Sequence, residues 1–172
     1  MEKVHQSITH HLADHAAIWE ILREVVDPEI PVLTVVDMGI IRDVVQRENG
    51  IEVSITPTYT GCPAMEMIGE EIKSALTRKG YSNITIKTVL APTWTTDWIS
   101  DEAKEKLRQY GIAPPEHSTA DKNSLLGKPK IVKCPQCKSE HTEMISHFGS
   151  TACKALWKCL DCKEPFDYFK CI

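Results

Sequence analysis

The chain has 172 residues, 42% hydrophobic and 26% charged. Those proportions suit a globular chain of one ordinary domain, or one small domain plus a module stapled by other means. A formal net charge of -4 gives no electrostatic basis for holding nucleic acid or an anionic membrane surface, and no apolar run approaches a membrane span.

The N-terminus, MEKVHQSITHHLADH, lacks the apolar core of a signal peptide, so a cytoplasmic protein is expected. Residues 1–12 read as a polar tail. In HAAIWEILREVV, Ile18, Ile21, Leu22 and Val25 recur at helical spacing. Asp27 and Pro28 stop that helix, and DPEIP is a rigid turn. IIRDVVQ and IEVSITPT are strand candidates rich in β-branched residues, joined by the hairpin signal Asn49-Gly50. Residues 63–79 predict a second helix, with Met65, Ile68, Ile72 and Leu76 along one face and Gly80 as its stop. NITIKTVLAP gives a third strand. Ser100 caps a last helix, with Asp101 and Glu102 in its first turn and Gly111 after its end.

The resulting order, α-β-β-α-β-α, predicts an α+β domain over 13–112, with helices packed on a small sheet. Residues 113–130, rich in breakers and without hydrophobic periodicity, read as a linker. What remains, 131–172, is too small to build a good core unaided, and a structural metal is the usual remedy.

The cysteines supply one. Cys134-Pro-Gln-Cys137 and Cys159-Leu-Asp-Cys162 are two C-x-x-C pairs with 21 residues between them. Each turn offers two thiolates, and four suit one tetrahedral ion in a zinc ribbon with strands TEMISHF, KALWKC and FDYFK. Tetrahedral sulfur suits iron as well as zinc. Zinc would be structural; iron would make a rubredoxin-like electron carrier. Cys153 and Cys171 are left over, either as small buried apolar residues or as further ligands. Residues 131–172 carry six lysines against five acids, a balance that argues against a nucleic-acid-binding ribbon.

One cysteine stands apart. Cys62, in TPTYTGCPAMEMIGEEI, lies between Gly61 and Pro63. Proline favours the first helical position, which makes Cys62 the expected N-cap. There the positive helix end favours a thiolate, the form that binds metal or moves sulfur. A capping cysteine of purely structural use would look the same. Asp27 and Glu29 are candidate acids or ligands beside it, or simply turn residues. Trp94 and Trp98, in APTWTTDW, are either an exposed docking site or core aromatics.

DPEIPVLTVVDMGIIRDV followed by PTYTGCP resembles the small domain of SufT-like iron–sulfur cluster assembly proteins. PTYTGCPA, APTWTTDWIS, LRQYGIAPP, FGSTACKAL and EPFDYFKCI resemble the accessory D subunits, PaaD type, of bacterial phenylacetyl-CoA epoxidase systems. The likeness covers nearly the whole chain outside the tail and the linker. It implies an accessory maturation factor, without catalysis of its own, for the iron–sulfur or di-iron centre of a multicomponent epoxidase in phenylacetate catabolism. Its partners would be the oxygenase or the reductase component. It further implies Cys62, Asp27 and Glu29 as candidates for contact with a transient iron–sulfur cluster or iron, and Cys134, Cys137, Cys159 and Cys162 as ribbon ligands. Lys138 and Lys163 stand where many ribbons place glycine. A purely structural zinc-containing subunit is the other reading, and the sequence leaves a homo-oligomer open.

Overall fold

The computed structural model describes residues 15–47, 49–59, 61–115 and 131–170. The polar tail 1–12, most of the expected linker and Cys171 lie outside the described residues. Those described form two compact units that divide after Trp94.

The first unit opens with helix α1, described over 15–22, which buries Ile18 and Leu22. The DPEIP turn after it is held by Asp27, whose Oδ1 accepts from the backbone N–H groups of Glu29 and Ile30, each at 2.8 Å. Strands β1 (Ile41–Arg47) and β2 (Gly50–Ile55) pair antiparallel, with Arg47 opposite Gly50. Helix α2 (Ala64–Arg78) then crosses over to β3 (Ile84–Thr88), which pairs parallel to β2. The sheet order is therefore β1-β2-β3, with β2 in the middle.

A parallel neighbour needs a long crossover, and α2 supplies it. The helix buries Ala64, Ile68, Gly69, Ile72, Ala75 and Leu76, a stripe at helical spacing. Met65, expected on that face, is only half-buried. Full burial of side chains such as Ile72 and Leu76 contributes roughly 1.5–3 kcal/mol apiece.

The second unit begins with a 3-10 turn at Thr96–Trp98 and helix α3 (Asp101–Tyr110). Ser100 caps α3, its Oγ accepting from Ala103 N–H at 3.1 Å, and Gly111 closes it at φ 91°. Next come β4 (Ile112–Ala113), β5 (Thr142–Ser146), β6 (Lys154–Cys159) and β7 (Pro165–Phe169), in the order β4-β7-β6-β5. The sequence placed α3 in the first domain and opened the linker at Ala113. Instead Ile112 and Ala113 pair with Asp167 and Tyr168. A two-residue strand shows no periodicity, so only its distant partner reveals it.

Around this sheet Ala113, Val132, Ala155, Trp157, Phe166 and Tyr168 are buried together with Cys134 and Cys159. Trp157 and Tyr168 meet edge to face, with ring centroids 6.1 Å apart. The α+β class holds, followed by the expected C-terminal ribbon.

Candidate metal centre

The two C-x-x-C turns converge because β6 is central to the ribbon. Cys159 ends β6 opposite Thr142 of β5, and Leu160 N–H donates to His141 C=O at 2.8 Å. The first turn closes on itself: Lys138 N–H donates to Cys134 C=O and Cys134 N–H to Ser139 C=O, both at 2.9 Å. The second closes likewise, with Cys159 N–H donating to Glu164 C=O at 2.9 Å.

Lys138 and Lys163 follow the second cysteine of each turn at φ 64° and 68°, the left-handed region where glycine is usual. The turns therefore keep their form at a backbone cost of about 1–2 kcal/mol per lysine. Lys163 offsets part of that by donating from Nζ to Leu160 C=O.

The four sulfurs lie within 4.8 Å of one another. Cys134 Sγ and Cys162 Sγ are 3.7 Å apart, and Cys137 Sγ and Cys159 Sγ 3.5 Å. Tetrahedral metal–thiolate bonds of about 2.3 Å would put sulfurs roughly 3.8 Å apart, so the donor set fits such an ion. Cys134 and Cys159 are buried and Cys137 and Cys162 are exposed.

The thiols are strongly unequal without a cation. Burial pushes Cys134 up. Burial also pushes Cys159 up, but the amides of Cys162 and Asp161 and the sulfurs of Cys137 and Cys162 outweigh it and bring it to about 6. The amide of Glu164 draws Cys162 down, yet burial and the other three sulfurs drive it up to about 12. Four like charges this close are stable together only around a positive ion.

A polar cluster that the sequence reading did not single out links the turns. Ser139 Oγ donates to Asp161 Oδ2, and His141 Nδ1 lies 3.4 Å from Asp161 Oδ1. The Ser139 hydroxyl, followed by His141, holds the Asp161 carboxyl below its ordinary range against a smaller opposing effect of burial. The signal available was an aspartate inside the second turn and a serine two residues past the first. Cys153 is a buried residue whose sulfur lies 3.0 Å from Thr151 Oγ1, outside the four-sulfur group.

Cys62 is half-exposed, immediately before α2. The cap position falls one residue later than expected, at Pro63, and carries no side-chain cap bond. Cys62 instead contributes its carbonyl, which accepts from Met65 N–H at 3.3 Å. Asp27 is buried, with Oδ1 committed to its own turn, while Glu29 is half-buried. Among the described residues only the four ribbon cysteines form a group of three or more such donors close enough to share a metal ion. Cys62, Asp27 and Glu29 do not.

Of the two readings left open for Trp94, an exposed docking site and a core aromatic, the docking site is corrected. Trp94 is 2% exposed, and its Nε1–H donates to Met38 C=O at 2.9 Å, so the indole satisfies a core carbonyl. Trp98 is half-buried. Among the described residues no helix is long and apolar enough to cross a membrane.

The small mixed sheet with its crossover helix, followed by a four-cysteine ribbon, defines the class: an iron–sulfur assembly-type domain joined to a zinc-ribbon domain. Residues 15–87 match the family described as iron–sulfur cluster assembly protein, and residues 118–170 match the PaaD zinc β-ribbon domain. The chain is 50% identical over 155 residues to a protein of Escherichia coli (strain K12) named as the candidate D component of 1,2-phenylacetyl-CoA epoxidase, covering 90% of this chain and 92% of that one. It belongs to that family of accessory epoxidase components. An Fe-S protein maturation auxiliary factor of Porphyromonas gingivalis (strain ATCC BAA-308 / W83) is 37% identical over 92 residues, 52% of this chain and 87% of its own. The crystal structure of a domain of unknown function, DUF59, from Bacillus anthracis superposes with a TM-score of 0.50 at 28% identity, over 54% of this chain and 89% of that one.

Proposed function

We propose that this protein is an accessory maturation factor, without catalysis of its own, for the multicomponent phenylacetyl-CoA epoxidase. It assists assembly of an iron–sulfur or di-iron centre in the oxygenase or reductase component. The observation that carries this reading is the 50% identity across both domains in one order. A likeness over only about half of the chain, as to the maturation-factor relative at 52%, would support only general iron–sulfur work.

In this reading Cys134, Cys137, Cys159 and Cys162 hold a structural zinc, and the ribbon docks on a partner with Trp98 as a candidate contact. Cys62 is the labile contact for metal or sulfur. Its half-exposed thiol, just ahead of α2, supports that role. Glu29 remains a candidate neighbour; Asp27 serves by shaping the turn. The whole works in the cytoplasm.

The test is complementation of a strain lacking the protein. Cys62→Ser is expected to fold with its melting temperature nearly unchanged, because serine is close to cysteine in volume and the position is half-exposed. It should nevertheless fail to restore growth on phenylacetate or full iron in the epoxidase components, since a hydroxyl is a poor ligand for a soft metal. Wild-type growth and full iron with Cys62→Ser would remove Cys62 from the function. Full iron in cells lacking the whole chain would remove the maturation role.

A further inference from the structure

We propose that Ser139 and Asp161 form a clasp across the two cysteine turns that slows loss of the metal from the ribbon, with Asp161 as its positioning residue. The inference rests on the metal-centre reading above. Ser139 lies two residues past Cys137 of the first turn, and Asp161 lies inside the second, between Cys159 and Cys162. The Ser139 hydroxyl donates to Asp161 Oδ2 and accepts from the backbone N–H of His141 at 3.0 Å. His141 Nδ1 stands 3.4 Å from the other carboxylate oxygen, Oδ1.

Both short sulfur pairs, Cys134 with Cys162 and Cys137 with Cys159, also run between the turns rather than within them. Release of a metal requires the two turns to part, because neither supplies more than two sulfurs. The backbone bond from Leu160 N–H to His141 C=O ties the turns on one line. The hydrogen bond from the Ser139 hydroxyl to the Asp161 side-chain oxygen ties them on another. Parting the turns must break both.

The experiment loads the full chain with zinc and follows its transfer to an excess of a chromogenic chelator. Ser139→Ala and Asp161→Ala are each expected to release zinc about tenfold faster than the parent, the lower end of the usual effect of an outer hydrogen-bond partner. The double variant should be no faster than the faster single one, because one interaction is lost in all three. Asp161→Asn keeps an oxygen acceptor for the Ser139 hydroxyl while dropping the charge, and should release at nearly the parent rate. With cobalt in place of zinc, the charge-transfer bands should stay unshifted in every variant, showing that four thiolates remain the ligands.

Equal release by the parent and Ser139→Ala overturns the clasp. So does a fast Asp161→Asn, which would make the effect one of charge alone. Should Asp161→Ala not fold, Ser139→Ala, which deletes a single oxygen, carries the test. A parent chain that takes up no metal overturns the metal-centre reading and the clasp with it, whereas a loaded parent with unchanged variants overturns the clasp only.

Discussion

Gly50 begins β2 at φ 155°, and a Cβ there would lie 2.1 Å from the carbonyl oxygen of Asn83 and 2.8 Å from its Cβ. The obstacle is backbone at the start of β3, where Asn83 C=O also accepts from Ile51 N–H at 3.2 Å. Neither strand can yield without losing the central pairing of the sheet. Gly50→Ala should therefore lower stability by about 2–3 kcal/mol, in the range of overpacked and strained sites. Urea denaturation checks it; an unchanged midpoint would mean that the strand starts separate freely. The hairpin signal Asn49-Gly50 was legible in the sequence, but for turn chemistry alone. That the same glycine also clears the third strand was not, because the constraint comes from Asn83, far along the chain. Trp94 shows the same limit. Two tryptophans in APTWTTDW look alike on paper, and only the position of Met38 C=O decides that Trp94 belongs in the core.

Among the elements, α2 was the most legible, since four turns of periodic apolar residues leave little choice. Its weakest position is Gly69, a buried glycine in mid-helix. Close approach to the sheet would be the ordinary reason for it, yet a Cβ at 69 would meet Ile86 Cγ2 at 3.6 Å and Cγ1 at 3.9 Å, ordinary van der Waals distances. The helix can accept a methyl group there. Gly69→Ala should stabilise the chain by about 0.5–1 kcal/mol, chiefly by restricting the unfolded backbone. A thermal melt reads the sign, and a lower transition would show that α2 sits closer to β3 than these distances allow. Strand direction was much less legible. β2 and β3 both read as β-branched runs, and nothing in either states that they run parallel; the length of the intervening helix is the only hint. The cysteine turns were fully legible from spacing, because four thiols need no other context to converge on one ion. The serine and aspartate joining them were not, since polar residues in turns are common and only their meeting sets these two apart.

At the scale of the whole molecule, the two units differ in what holds them. The first has an apolar centre of its own, with Ile18, Leu22, Val53, Ile68, Ile72 and Leu76 almost wholly buried. The second spends two of its buried positions on Cys134 and Cys159, whose thiolates need a cation. Stripping the metal with a strong chelator should therefore unfold the second unit and leave the first folded, because the binding energy of such an ion is folding energy for a small module. Helix α3 makes the prediction sharper. By sequence order it belongs to the first domain; by structure it leads into β4, which pairs with β7 of the ribbon. Amide signals of 101–113 should accordingly collapse with those of 131–170 when the metal leaves, while those of 15–94 keep their dispersion. Cys134→Ser and Cys159→Ser should give the same pattern without chelator, each removing one buried ligand. Survival of the 101–113 signals in the metal-free protein would return α3 to the first domain and put the boundary where the sequence had it. Survival of the 131–170 signals would mean that Trp157, Phe166 and Tyr168 form a sufficient core without any ion.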